Sequence, residues 1–576
     1  MGDLDFPPLR LTFPDRNDWV FSGILAHWAR TAPDRPFLQF MEEPPLTYGE
    51  VDREVTRLAH GVLALGVSRG DRIVIMLPNS IEFLLVWWAA NRIGAIEVSV
   101  STAYKGYFLE HVVNNSGAKV MVVASELLEQ VRASEGKLPQ LETLIVSSDR
   151  RAAPAQGPPF GRLRIMPFEA LHTRRADPPG VAVSPRDLCA IAYTSGTTGP
   201  AKGVMMPNAQ CHFMAECVAN LSRLTAADTY FVSTPLSHAN APLMQVYPAL
   251  LAGARAVIWP RFSASEWVAQ VRRVGATVTN LLGIMMDFIF RQPPRPDDRD
   301  HRLRLVLGQP APAAIVEAFR ERFGVERVLE YYGMTEIGVV TMMPFDAFRR
   351  GSCGHAVSEW FDLRLADPET DEEVAAGQVG EMLVRPRVPW VFNQGYWGMP
   401  DRTAEALRNV WFHTGDGLRR DEDGYYYFVD RMRDAIRRRA VNISSFDVEA
   451  VMAEHPAVLA CAAVGVPSEF AGGEDEIKAC LVLRERADFT PEAFLAWCEE
   501  RLPYFAVPRY VEVLAELPKT PSNKVQKYLL REAGVTSSTW DRVEAGYELA
   551  EEVRRGEERR RRKSAREEPM REGRRG

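Results

Sequence analysis

A lysine and a cluster of hydroxyls pose the first question. In "YTSGTTGPAKGV", residues 193–204, Tyr193 and Thr194 lead into Ser195, Gly196, Thr197, Thr198 and Gly199, and Lys202 and Gly203 follow. Glycine reaches backbone angles that side chains forbid, so the chain can turn its N–H groups inward. Inward N–H groups, hydroxyls and one positive charge suit an anion, above all a phosphate. The spacing is not that of the G-x-x-x-x-G-K-[ST] loop, because Lys202 stands between Ala201 and Gly203. A flexible surface loop has the same composition. Against that reading, "DLCAIAY" just before it reads as a buried strand, so the loop hangs from a strand end, where α/β proteins hold ligands.

Further polar groups recur at predicted element ends. "PLSHAN" (235–240) sets His238 after a strand, and "LGQPAP" (307–312) ends one at Gly308, Gln309 and Pro310. "YYGMTE" (331–336) gathers Tyr331, Tyr332, Gly333, Thr335 and Glu336. "FHTGDG" (412–417) isolates Asp416 on what reads as a tight turn. "DRMRDAIRRRAVNISSFDVE" (430–449) carries Arg431, Arg433 and Ala440, and "LPKTPSNKVQK" (517–527) carries Lys524. Each has a plain alternative: a packing histidine, a turn aspartate, a solvated lysine.

The elements that must position these groups alternate. "TYGEVDREVTRLAHGVLALG" reads as a helix, "DRIVIMLP" as a strand, the next stretch to Gly94 as a helix, and "AIEVSVS", "AKVMVV" and "TLIVSS" as strands. That alternation predicts an α/β fold of layered, largely parallel sheets. "GQVGEMLVRP" reads as part of a β-rich subdomain. After "DRMRDAIRRR" the pattern changes to a compact α+β unit. The expected division is a large domain over 1–432, a small mobile domain over 433–548 and a charged, disordered tail over 549–576. From Glu551 onward the tail holds eleven Lys/Arg against seven Glu, with few apolar residues to bury.

With 576 residues, 46% hydrophobic and 25% charged, the chain has the balance of a globular protein of several domains. Its net charge of −7 gives no sign of a nucleic-acid partner. The seven cysteines show no C-x-x-C spacing, which points away from a zinc ribbon or a disulfide framework. No signal segment opens the chain. Its most apolar run, "FLLVWWAA", is too short to span a bilayer, so the expected location is cytoplasmic.

In this order and spacing the motifs resemble the adenylate-forming superfamily of acyl-CoA synthetases, adenylation domains and luciferases, over roughly residues 20–530. "RRRAVNISSFDVE", "WPRFSASEW" (259–267) and "ATVTNLLG" (276–283) are similar to the carnitine and medium-chain acid–CoA ligases. The resemblance implies that a carboxylate attacks the α-phosphate of ATP, releasing pyrophosphate, and that coenzyme A then takes the acyl group from acyl-AMP as a thioester. It implies a phosphate-binding role for Thr194, Ser195, Gly196, Thr197, Thr198, Gly199 and Lys202. Glu336 would hold Mg²⁺, which prefers a few carboxylates plus phosphate oxygens, and Thr335 would meet the α-phosphate. Adenine would lie on Tyr332, next to Tyr331 and Gly333, with Gly308, Gln309 and Pro310 beside it. Asp416 and Arg431 would take the ribose hydroxyls. Lys524 would meet the developing charge at the α-phosphate. His238 would border the acid. Arg433 would lie at the hinge and Ala440 beside the pantetheine arm. Ala201, Ala440, Asn523 and the Gly308-Gln309 pair depart from the usual pattern. A specialised relative that runs one half-reaction or loads a carrier protein is the alternative activity; a non-catalytic nucleotide-binding scaffold is a further one. "SHANAPLMQVYP" and "LLGIMMDFIF" predict an apolar or bulky acid, and a homodimer is compatible with the sequence.

Overall fold

The computed structural model describes residues 5–148, 160–194, 201–311, 315–368, 370–431, 435–438, 441–468, 474–518, 525 and 527–550. Two seven-stranded sheets dominate it. One runs Arg327–Leu329, Leu305–Gln309, Val278–Leu282, Thr229–Val232, Arg255–Ile258, Pro36–Phe40 and Leu46–Thr47. The other runs Arg164–Pro167, Thr143–Ser147, Val120–Ala124, Arg72–Met76, Ile96–Ser99, Leu188–Thr194 and Lys202–Pro207. Both are parallel except at one edge, where Leu46–Thr47 and Lys202–Pro207 run antiparallel to their neighbours. Helices cover the faces, so a strand such as Val120–Ala124 is buried along its whole length. This is why the strands read as continuous apolar runs rather than alternating ones.

Local signals set the helices. Tyr48–Ala64 opens on a reciprocal cap: the Thr47 hydroxyl accepts from the Glu50 N–H, and the Glu50 carboxylate accepts from the Thr47 N–H at 2.8 Å. Both donors would otherwise be unpaired at a helix start. The helix then buries Val51, Val55, Leu58 and Val62, the spacing of one helical face. Tyr48 stacks on Phe37 with ring centroids 4.2 Å apart, which pins the helix to the first sheet.

A hairpin, Tyr331–Met334 with Gly338–Met342, follows the first sheet. The predicted β-rich subdomain is a four-stranded antiparallel sheet of Phe361–Ala366, Gly380–Pro386, Phe412–Arg420 and Tyr426–Arg431. Beyond it come the hairpin Ala435–Arg438/Val441–Ser444 and a sheet of Val458–Pro467, Asp475–Leu483, Tyr510–Val513 and Trp540–Asp541, with helices Ser445–Ala453 and Pro491–Arg501. An apolar core that includes Val448, Ile477, Phe494 and Leu502 fills this last unit and takes in Phe108 from helix Tyr107–Ser116 of the larger domain. Leu549, at the expected start of the tail, is fully buried in that core, and the Ala550 N–H donates to Glu499 at 2.7 Å. The rest of the tail lies outside the described residues. Among the described residues no helix is long and apolar enough to cross a membrane. All seven cysteines are unpaired.

Candidate active site

Strand Leu188–Thr194 delivers Thr194 to the edge of a cleft, and the next strand begins at Lys202. Ser195, Gly196, Thr197, Thr198 and Gly199 lie outside the described residues. The Thr194 hydroxyl donates to Glu336 Oε1 at 3.3 Å, and the Tyr396 hydroxyl donates to the same oxygen at 3.1 Å. The end of strand Leu188–Thr194 and the Glu336 carboxylate therefore meet although 142 residues separate them. Glu336 is 4% exposed, so its orientation is set by these donors rather than by solvent. Its backbone carbonyl accepts from Asn393 Nδ2 at 2.6 Å, and Gln210 Nε2 donates to the Thr335 carbonyl at 2.9 Å. Lys202 places its ammonium 4.5 Å from the centre of the Tyr396 ring, a cation–π distance.

Tyr332 and Asp416 form a second pair. The phenol donates to Asp416 Oδ2 at 2.9 Å, and both residues are buried. Burial, with the Asp416 charge adding to it, raises the Tyr332 hydroxyl well above its usual range and keeps it a donor. The expectation of a tight turn at Asp416 is corrected: it lies inside strand Phe412–Arg420, at an irregularity in register. Gly415 has φ +72° there, which lets the strand jog and aim the carboxylate inward. Arg431 is the cross-strand partner of Asp416. Gly333 is required by packing, because a Cβ would lie 2.2 Å from the Gly338 carbonyl oxygen.

His238 stands on the loop after strand Thr229–Val232, open to the cleft yet crowded by protein, which lowers the imidazole pKa and leaves it neutral at pH 7. The Asn240 N–H donates to His238 Nδ1 at 3.3 Å, so the ring proton is assigned to Nε2. Asn240 Nδ2 donates to Gln309 Oε1, and Gln245 Nε2 to Asn240 Oδ1 at 2.7 Å. These bonds tie the histidine loop to the strand end at Gly308 and Gln309, which joins Pro310 through a cis peptide. Arg437 reaches the Gln309 carbonyl at 3.5 Å, so hairpin Ala435–Arg438/Val441–Ser444 borders the same cleft. Its tip, including Ala440, lies outside the described residues, as do Arg433 and Lys524. Tyr331 is half-buried.

Sequence reasoning missed several partners. Glu381 holds the strand that carries Asp416: its Oε1 accepts from the Gly415 N–H at 2.9 Å and its Oε2 from His413 Nδ1 at 3.1 Å. Arg408 pairs with Asp371 at 2.9 Å, and His413 Nε2 lies 3.8 Å from that same aspartate. A carboxylate inside the apolar strand "GEMLVRP" was the available signal for Glu381. For Tyr396 and Asn393 it was the polar and aromatic cluster in "FNQGYWG".

Glu336 is one carboxylate fed by hydroxyl donors, and among the described residues no three His, Cys, Asp or Glu cluster as a metal site. That donor set fits Mg²⁺, which takes one or two carboxylates and fills its shell with phosphate oxygens and water.

Residues 25–397 match the AMP-binding enzyme family and residues 447–524 its C-terminal domain. The chain is 30% identical over 490 residues to a crotonobetaine/carnitine–CoA ligase of Salmonella paratyphi A, covering 84% of this chain and 93% of that one. Among solved structures, an anthranilate CoA ligase in complex with anthranoyl-AMP aligns with TM-score 0.64 at 25% identity, covering 92% of this chain and 99% of the other. An amide bond synthetase from Marinactinospora thermotolerans aligns with TM-score 0.70 at 25% identity, covering 88% and 99%. An o-succinylbenzoate CoA synthetase from Bacillus subtilis shares the fold, with TM-score 0.74 at 23% identity over 90% and 98% of the two chains. With its strand-end cleft and this span of similarity, the chain belongs to the AMP-binding enzyme family, as an acid–CoA ligase that works through an acyl-AMP.

Proposed function

We propose that the cleft between Thr194, His238, Gln309, Glu336 and Asp416 activates an apolar or bulky carboxylic acid with ATP and passes its acyl group to coenzyme A. The observation that carries this reading is a pair of buried carboxylates, each held by hydroxyl donors. Glu336 is held by Thr194 and Tyr396, and Asp416 by Tyr332.

In this reading Thr194, Lys202 and the hydroxyls of Ser195, Thr197 and Thr198 receive the β- and γ-phosphates. Glu336 holds Mg²⁺, which when bound neutralises charge on the phosphate oxygens. Thr335 faces the α-phosphate, and Tyr332 with Gly308–Pro310 flanks the adenine. Asp416 and Arg431 take the ribose hydroxyls. His238, neutral by its surroundings, borders the acid without adding charge beside the carboxylate. The small domain beyond residue 432 brings Lys524 to the α-phosphate for the first step, and the loop of Ala440 to the thiol for the second.

The test is incubation with ATP, Mg²⁺, coenzyme A and a panel of carboxylic acids, following AMP and pyrophosphate. Acid-dependent AMP release with thioester formation is the expected result. Release of ADP, or of no nucleotide product with any acid, overturns the reading. Acyl-AMP that forms and is never passed to coenzyme A assigns the protein to the first half-reaction alone.

A further inference from the structure

Glu97 takes no part in the chemistry above, yet it is buried beside it. It lies in strand Ile96–Ser99, paired with Ala190, and is 3% exposed. Its Oε1 has no hydrogen-bond partner, and Ser99, on the same face of the strand, is its polar neighbour. Burial pushes the carboxyl up to about 8, so it is neutral at pH 7. A carboxyl without a partner in an apolar interior is costly, and a valine or isoleucine there would carry no such cost.

The space next to it explains what the carboxyl faces. Glu97 and Ser99 line a cavity with Trp87, Ala192, Leu236 and Ala239. Leu236 and Ala239 flank His238 on its loop, and Ala192 lies two residues before Thr194 on the same strand. The cavity is thus lined by the same loop and strand that carry His238 and Thr194. Its free space, about 10 Å³, takes one small group. Apart from Glu97 and Ser99 its walls are apolar. A group that enters it meets an acceptor at the far end and hydrocarbon elsewhere.

We propose that Glu97 and Ser99 form the closed end of the acid pocket and select carboxylic acids that carry a hydroxyl group on the acyl chain. This rests on the acid–CoA ligase reading of the cleft and names its substrate class. A hydroxyl matches the one-water volume and supplies the donor that Oε1 lacks. A quaternary ammonium has no N–H and exceeds the space, and a primary ammonium would require two charges to be desolvated in an apolar wall.

The experiment compares saturated acids of four to eight carbons with their hydroxylated counterparts, reading pyrophosphate release for kcat/KM and calorimetry for binding of the acid. The wild-type protein is expected to prefer one hydroxy acid over its parent at least tenfold, because a site built to bond a hydroxyl rejects the analogue that lacks it. Glu97→Leu is expected to abolish that preference and to raise use of the parent acid. Glu97→Gln, whose amide still accepts, is expected to retain it. If Glu97→Leu does not fold, Ser99→Ala reads the same contact, with a several-fold fall in the preference. Wild-type and variant proteins that rank the panel identically overturn the proposal and leave Glu97 as the partner of a buried water. Preference for ammonium acids over hydroxy acids overturns the assigned chemistry. Absence of nucleotide products with every acid overturns the ligase reading, and this inference with it.

Discussion

Glu381→Ala tests whether the ribose end of the cleft is held from behind. The wild-type carboxylate is 3% exposed and accepts from the Gly415 N–H and from His413 Nδ1, at 2.9 and 3.1 Å. Alanine leaves both donors without that acceptor in a buried position, and each such loss costs about 1–3 kcal/mol. Two donors give a stability loss of roughly 2–6 kcal/mol, partly offset where water enters the space left by the carboxylate. The effect on nucleotide binding is separable. Gly415 precedes Asp416, and its positive φ sets the jog that aims the carboxylate. If the jog relaxes, the charge-assisted bonds to ribose that the proposed function gives Asp416 are lost, about 1.5–3 kcal/mol, which is a rise of roughly 10- to 150-fold in the KM for ATP. The assay sets steady-state KM for ATP beside that for 3′-deoxy-ATP, with Tm recorded alongside. In the variant the two nucleotides should become nearly equivalent, because a misplaced Asp416 no longer reads the hydroxyl. A variant that melts earlier but keeps full discrimination, with KM for ATP within twofold of wild type, would refute the argument and leave Glu381 a purely structural residue.

Three further outcomes are expected. Lys524→Ala should slow acyl-AMP formation by the equivalent of about 3–4 kcal/mol while still accepting premade acyl-AMP in the thioester step; parental rates of pyrophosphate release would remove the lysine from the first step. Tyr396→Phe deletes one donor to Glu336 and should raise the Mg²⁺ concentration needed for half-maximal ATP binding by about tenfold. Calorimetric titration of ATP at several Mg²⁺ levels checks this, and an unchanged Mg²⁺ requirement would separate Tyr396 from the metal site. Glu97 gains a proton on folding, since its native value of about 8 exceeds the ordinary carboxylate value of 4.5. Its contribution to stability is therefore present below pH 4.5 and is lost as the pH rises towards 8, at about 1.4 kcal/mol per pH unit. Thermal melts of Glu97→Gln should show a shallower fall between pH 5 and 8 than the wild-type protein, and parallel curves would count against the neutral native carboxyl.

Much of this was legible because the informative signals were local. Strand "DLCAIAY", helix "TYGEVDREVTRLAHG" and the run "AIEVSVS" are set by apolar content and caps within a few residues, and Leu188–Thr194, Tyr48–Ala64 and Ile96–Ser99 form where those patterns lie. Thr194, His238 and Gln309 stood out in the sequence for the same reason, as polar residues at or just after a strand. The turn expected at Asp416 was wrong because glycine on both sides signals a turn, whereas Gly415 here supplies a jog within a strand held by cross-strand pairing. Glu381, His413, Asn393 and Tyr396 escaped notice because what gives them a role is a partner tens to hundreds of residues away. No local pattern records that Tyr396 would meet Glu336 across 60 positions.

The short segment Asn393–Trp397 has a consequence for building hybrids. Its backbone is sewn to strand Lys202–Pro207: Met205 N–H donates to the Gly395 carbonyl, Gln394 N–H to that of Met205, and Trp397 N–H to that of Gly203. Two of its side chains, Asn393 and Tyr396, hold Glu336. The segment lies within the stretch of chain that forms the β-rich sheet, yet its bonds go to strand Lys202–Pro207 and to Glu336. A chimera that exchanges this sheet with a relative's should therefore place its second junction, the one before strand Phe412–Arg420, after Trp397. A junction upstream of Asn393 sets a foreign segment against the native Glu336, and on the proposed function the hybrid is expected to fold while losing its grip on the nucleotide.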